Sequence, residues 1–562
     1  MKRRCLQTDS DGSVFVFNTS MRYILLILLL GLSNFLNAQE FTLADTLRGT
    51  LSHIRSCYDV TYYDLQIDLN LETKTLTGVN HIHFKNVTDF DQLQIDLFKN
   101  MRIDAILYKD EKLEFTRKHD AVFVSFPNTM KKGEMGVISV HYAGEPIAAK
   151  NAPWDGGFVW KQDANGKPWV GVACEGTGAS LWWPNKDHLS DEPDSMRISC
   201  TTPKDLMFVS NGEMESSIDL NGRTSWTWKI SYPINNYNVT VNIGDYAHFQ
   251  EDYENASGEN LKLDYYVLKG NLEKAKEQFK QVPEMMDCFE EAFGPYPFYN
   301  DGYALVETAY LGMEHQGAIA YGNKYMPGYL GRYPDDMNFD YIIIHETGHE
   351  WWGNSVSMKD AADMWIHESF CTYSEAVFVE CKYGYDKMLE YLLYQRNFIN
   401  NRSPIHGIYG LNHAGNSGDM YYKGSWMIHT FRNVLHNDSL FRSILKGIAQ
   451  DFAYQTVDGE DIINYINQRA KYNYSPFFEQ YLKFADVPIL EYRWVKKNLE
   501  MRWKAEAKGF RMPVIYETSD LGQRRVLVTN QDWTSVPLSK KDFKELNFRD
   551  DLLLFLKKEV EE

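Results

Sequence analysis

His345-Glu346-Thr347-Gly348-His349, followed after 18 intervening residues by Glu368, constrains this chain more than any other feature. On a helix, positions i and i+4 share a face, so both imidazoles address one point while Glu346 sits beside the first of them. Tyr341-Ile342-Ile343-Ile344 leads in as an apolar run and Trp351-Trp352 follows, which predicts a buried helix whose histidines look into the interior. Glu368 lies in Asp363-Met364-Trp365-Ile366-His367-Glu368-Ser369-Phe370, a second apolar-periodic helix that can return antiparallel to the first. Two His and one Glu form a catalytic zinc set with a fourth position left open, so one Zn2+ per chain is expected on His345, His349 and Glu368. His367 has ligand chemistry too, but it is offset by about 100° from Glu368 around the helix, and it is expected behind the ligands or in packing.

The chain has 562 residues, 77 of them acidic and 58 basic, for a formal net charge of -19. Nucleic acid is excluded as a partner on that balance, because a phosphate-binding surface needs clustered Lys and Arg and no basic run is long enough to supply one. Met21-Arg22-Tyr23 opens an apolar run, Ile24 to Leu30, that ends near the small residues Asn37-Ala38. Charge, short apolar run and small-residue end read as a secretory signal. The run is shorter than the ~20 residues of a membrane span, so no stable span is expected and the protein is expected to be exported, periplasmic or extracellular, with attachment at the surface as a variant. Met21 reads as the natural start, and residues 1–38 are set aside as a non-native extension plus signal. Of the six cysteines that remain, Cys371 with Cys381 and Cys174 with Cys200 are close enough in sequence to pair; buried free thiols are the expected state.

Past the signal, the texture predicts a multidomain α+β chain. Tyr63, Leu65, Ile67 and Leu69 alternate with polar residues in a period-2 strand, and similar runs at 79–84, 122–126 and 136–142 predict an all-β domain over 39–252 with no helix of any length. Helical texture begins at 271–279, with Pro283 breaking or restarting it and a stop at Gly294-Pro295; further helices are predicted around 339–352, 363–381, 386–398 and 424–436. A mainly helical domain over 253–490 and a small β domain over 491–562 follow.

His345-Glu346-x-x-His349-Glu350-Trp351-Trp352-Gly353-Asn354, then Met358-Lys359-Asp360 and Trp365-x-x-Glu368-x-Phe370, resembles the zinc aminopeptidases of the aminopeptidase N family. Gly312-Met313-Glu314-His315 resembles the family's Gly-x-Met-Glu-Asn signature, with Leu311 where the signature has Gly and His315 where it has Asn. The resemblance implies that Glu314 binds the substrate's free α-amino group and that Gly312 and Met313 meet the substrate backbone. Tyr421-Tyr422-Lys423-Gly424 resembles Tyr-x-Lys-Gly, which selects Tyr421 to stabilise the oxyanion. Cys174-Glu175-Gly176-Thr177-Gly178-Ala179 before Trp182-Trp183-Pro184 resembles a family segment that reaches the site, and gives Glu175 a second amine contact. What the resemblance implies as a whole is a saddle-like β domain, a thermolysin-like catalytic domain and a small β domain. The activity it implies is hydrolysis of N-terminal residues from peptides by a metal-activated water, with Glu346 as general base. Two rivals carry different expectations: an endopeptidase of thermolysin type would cleave N-acetylated peptides, and a zinc-stabilised peptide-binding protein would turn nothing over.

Overall fold

The computed structural model describes residues 41–334, 336–412 and 418–561. The predicted signal lies outside them. Among the described residues, no helix is long and apolar enough to cross a membrane.

The N-terminal region is built on an eight-stranded sheet in which Tyr58–Asn70 pairs antiparallel with Thr75–Asn86 and parallel with Ser195–Pro203. The alternation read from the sequence is observed: Tyr63, Leu65, Ile67 and Leu69 are buried in a core shared with Trp182 and Trp183. Four-stranded and three-stranded sheets complete the layer, and helix is confined there to short turns such as His53–Ser56. The last strand of the run expected to extend to 252 belongs to another sheet. Tyr246–Glu254 pairs along its whole length with Asn260–Leu268, and that strand joins Tyr303–Glu307, Ile319–Tyr321 and Gly312–Met313 in a five-stranded sheet of the next region. Strand texture alone could not show the change of sheet, because both sheets alternate alike.

That five-stranded sheet positions everything that follows. Leu305, Ile319 and Tyr321 face the helical core while Ala304, Val306 and Ala320 face the β core, so the strands are buried on both faces. The helices that lead to and frame the site are α1 (Leu272–Gln278), α2 (Val282–Phe293), α3 (Tyr341–Gly348), α4 (Trp365–Tyr383), α5 (Tyr385–Arg396) and α6 (Tyr422–Leu435); Asp438–Asp451, Gly459–Ala470 and Ser475–Lys483 follow them. Pro283 sits in the first turn of α2, where its missing N–H has no partner to lose, and Gly294 at φ +101° ends that helix. Cys288 of α2 is joined to Cys381 of α4 by a disulfide that closes a separation of 93 residues. This corrects the expectation of free thiols at those two positions and of Cys371 as the partner of Cys381: Cys371 is buried and free, as are Cys57, Cys174 and Cys200. The strands from Ile489 to Glu559 form a four-stranded and a three-stranded sheet whose apolar residues, Trp503 and Met512 among them, continue the helical core.

Candidate active site

Asp340 starts the site. Its carboxylate caps α3 by accepting from the Ile342 and Ile343 N–H groups at 3.0 and 3.5 Å, and it also accepts from the Tyr321 hydroxyl at 2.8 Å and from Asn323 Nδ2 at 2.8 Å. Ile342, Ile343 and Ile344 then anchor the helix in the core, which leaves one face of α3 for His345, Glu346 and His349.

Both imidazoles have their Nδ1 atoms engaged. His345 Nδ1 lies 2.7 Å from Glu375 Oε1, and His349 Nδ1 lies 2.8 Å from the Trp352 carbonyl oxygen. Acceptors at Nδ1 fix the tautomer that leaves the Nε2 lone pair free for a metal. Each Nε2 stands 3.6 Å from the same atom, Glu368 Oε2, which is buried and has no hydrogen-bond partner. An orphaned carboxylate oxygen equidistant from two imidazole Nε2 atoms fits a tetrahedral divalent ion with three protein ligands, and N2O donors suit zinc. Cys371 also comes within 4.8 Å of the two imidazoles, but its thiol donates to the His345 carbonyl oxygen at 2.8 Å, on the packing side of α3. His367 faces away from the ligands: its Nε2 accepts from the Met358 N–H at 2.9 Å and its Nδ1 stands 3.3 Å from the Tyr237 hydroxyl.

Glu375 was not singled out in the sequence. Its second oxygen accepts from Tyr391 and Gln395 of α5, at 2.5 and 2.8 Å. One turn of α4 beyond Cys371 and two beyond Glu368, it lies on the ligand's own face, and that i+7 spacing is the signal that could have found it.

Glu346 faces the same cavity. Burial pushes its carboxyl up to about 7, with Glu314 and Glu368 adding to the rise and the two imidazoles opposing it; a divalent ion alongside pulls it back down. The backbone makes room for this group: a Cβ on Gly312 would meet Glu346 Oε1 at 2.5 Å and Ile342 Cγ2 at 2.8 Å, so a larger residue there would displace the carboxylate from its place. That strand is the edge of the five-stranded sheet, paired on one side with Ala320 and Tyr321.

Glu314 follows directly. It is buried, its carboxylate accepts from the Tyr237 hydroxyl at 3.0 Å, and one oxygen of it lies within 4.8 Å of ligand atoms of both Glu346 and His349. Tyr237 comes from the β region and was also missed; nothing in its local sequence marks it. Asn354 fixes the same segment by donating to the Glu314 carbonyl oxygen at 2.9 Å while accepting from Asn238. Glu175 enters from the β region on the loop 174–178, with Oε1 lacking a partner; burial, then the charges of Glu314 and Glu368, hold its carboxyl well above the usual range. Of the two departures from the signature, Leu311 lines the cavity, whereas His315 is buried away from it, kept neutral by burial with its pKa pushed down to about 3.

Tyr421 stands just ahead of α6, with its ring 6.2 Å from that of His345 and its hydroxyl towards Glu368. Gly424 allows this: a Cβ there would meet Ser369 Oγ at 1.9 Å, so only glycine lets α6 close on α4. These four carboxylates, the two imidazoles and the Tyr421 phenol thus line one cavity of about 520 Å3. Buried acids in that number repel one another unless cations join them.

The pattern of the peptidase family M1 domain matches residues 277–481, and that of the peptidase M1 N-terminal domain matches residues 60–237, together more than half of the chain. The leucyl aminopeptidase of Saccharolobus solfataricus is 19% identical over 456 residues, covering 77% of this chain and 54% of that protein. Aminopeptidase N of Lactococcus lactis is 20% identical over 500 residues, covering 84% and 56%. The chain therefore spans about half the length of these relatives. An M1 zinc metallopeptidase of Deinococcus radiodurans matches in fold, with a TM-score of 0.65 at 18% identity over 76% of this chain and 94% of that one.

Proposed function

Because this chain belongs to peptidase family M1, we propose that it is a zinc aminopeptidase that removes N-terminal residues from peptides. His345, His349 and Glu368 hold the ion. Zinc, when bound, supplies Lewis acidity at the scissile carbonyl and lowers the pKa of water. Glu346 accepts the proton of the attacking water and passes it to the leaving amine. The Tyr421 hydroxyl donates to the oxyanion as charge builds on it. Gly312 and Met313 offer the free side of an edge strand to the substrate backbone, as a sheet edge accepts an added strand.

The observation that carries the reading is the placement of Glu314. A buried acid outside the proposed ligand set, oriented by Tyr237 and within 4.8 Å of ligand atoms of Glu346 and His349, pairs with a substrate ammonium one residue from the cut; Glu175, which lines the same cavity, supports it. Such an acid sets the position of cleavage and makes an exopeptidase. Export is part of the same proposal. It is supported by the charged, short apolar segment at 21–38 and by the Cys288–Cys381 disulfide, a bond that persists in oxidising compartments.

The test is a panel of fluorogenic aminoacyl amides with their N-acetylated counterparts, assayed with and without chelator on protein of known zinc content. Cleavage of the free-amine compounds alone, lost on chelation, is expected. Cleavage of blocked peptides means an endopeptidase, and bound zinc without turnover means a binding protein.

A further inference from the structure

The cavity is electrically lopsided. Glu175, Glu314, Glu346 and Glu368 crowd one end, and Arg332 is the only Lys or Arg among the residues that line it. In a chain with a net charge of -19 a basic group readily finds an acid, yet the Arg332 guanidinium makes no ion pair or hydrogen bond among the described residues. Its backbone is nevertheless firmly placed. Tyr329 and Arg332 bond to each other in both directions, at 2.9 and 3.1 Å, across a tight turn in which Gly328 and Gly331 take φ of +62° and +83°. The buried Asn323 holds that turn by accepting from the Leu330 N–H at 2.8 Å.

Two ring contacts measure the way from the metal ligands to this turn. Tyr341 stacks on His345 with ring centroids 5.2 Å apart, and Tyr329 meets Tyr341 edge-on at 5.4 Å. The ring of Tyr329, whose backbone pairs with that of Arg332, thus lies no more than about 11 Å from that of His345, the length of about three extended residues at ~3.3–3.6 Å each. An ammonium at the acidic end and a carboxylate at Arg332 are therefore the two ends of one short peptide.

Resting on the aminopeptidase reading above, we propose that this site selects di- and tripeptides as zwitterions, with Arg332 binding the free C-terminal carboxylate. Arg332 touches no reacting atom; it is a specificity-determining residue, and its planar guanidinium matches a carboxylate in a bidentate pair. Longer peptides carry their carboxylate past the turn and gain nothing from it.

The experiment compares a tripeptide X-Gly-Phe with its C-terminal amide, X being the best residue of the aminoacyl amide panel, on the zinc-loaded full chain. The expected kcat/KM ratio of acid to amide is about tenfold, the effect of one charge-assisted pair. In Arg332→Gln that ratio falls to about one, and for a hexapeptide acid and amide it is about one already in the unaltered protein. Equal rates for the tripeptide acid and amide, or a preference that survives in Arg332→Gln, overturns the proposal. Failure to cleave any free-amine substrate is a failure of the aminopeptidase reading instead. In that case calorimetric binding of the same two tripeptides decides about Arg332, and equal affinities overturn its role.

Discussion

The candidate zinc ligands and the acids proposed to hold the substrate amine share one end of the cavity but are built in opposite ways. His345, Glu346, His349, Glu368 and Glu375 come from two consecutive helices, with each first ligand-side contact made inside the helical region. The proposed amine-binding group is assembled from distant pieces: Glu314 beside an edge strand, and Tyr237 and Glu175 from the β region. A helical pair fixes a metal site by local periodicity, whereas an ammonium site made by two regions depends on how they are packed together. The two groups should therefore fail separately.

The largest effect belongs to the metal site. Glu346→Gln is expected to lower turnover by about 10²–10⁴-fold, the range of a general base, with zinc content unchanged by metal analysis; full activity in that variant removes Glu346 from the chemistry. Asp340 tests the helix beneath it. Burial pushes its carboxyl up to about 6 from an ordinary value near 4, so the folded protein holds the proton more tightly than the unfolded chain. Its contribution to stability is then present in full below pH ~4 and is lost as pH rises through 6, on the order of 3 kcal/mol in all. Urea unfolding across that range should show this fall in the unaltered protein and not in Asp340→Asn; parallel curves exclude it.

Glu375→Ala is expected to weaken zinc binding by about 10–100-fold through loss of the acceptor at His345 Nδ1, read by competition with a chelator and independent of activity. In the proposed amine-binding group, Tyr237→Phe removes one hydrogen bond to Glu314 and should raise KM for free-amine substrates about tenfold, with zinc affinity unmoved. A change in zinc affinity in Tyr237→Phe would show that the Tyr237–Glu314 contact also supports the metal ligands.

The same contrast explains what could be read from the sequence. That His345, Glu346, His349 and Glu368 come together on two helices followed from 3.6-residue periodicity, because that signal acts over a few residues, whereas the helices Asp438–Asp451, Gly459–Ala470 and Ser475–Lys483 were not read one by one. Tyr237 could not be read that way: it lies 77 residues from Glu314 and reaches it only after the β region docks. The Cys288–Cys381 bond was hidden for the same reason, its partners being 93 residues apart. The early start of the catalytic sheet at Tyr246 escaped because a strand's alternation does not say which sheet it joins. Gly312 and Gly424 were visible as residues, but the Glu346 and Ser369 atoms that demand glycine there were not.

The most direct test of this account is Glu314→Gln, measured for zinc stoichiometry and for the ratio of rates on an aminoacyl amide and its N-acetylated form. The account predicts one zinc per chain, as in the unaltered protein, with the free-amine rate reduced by about 30-fold or more for a truncated buried charge pair and the preference for a free amine largely lost. Loss of zinc, or an undiminished preference for the free amine, would contradict it.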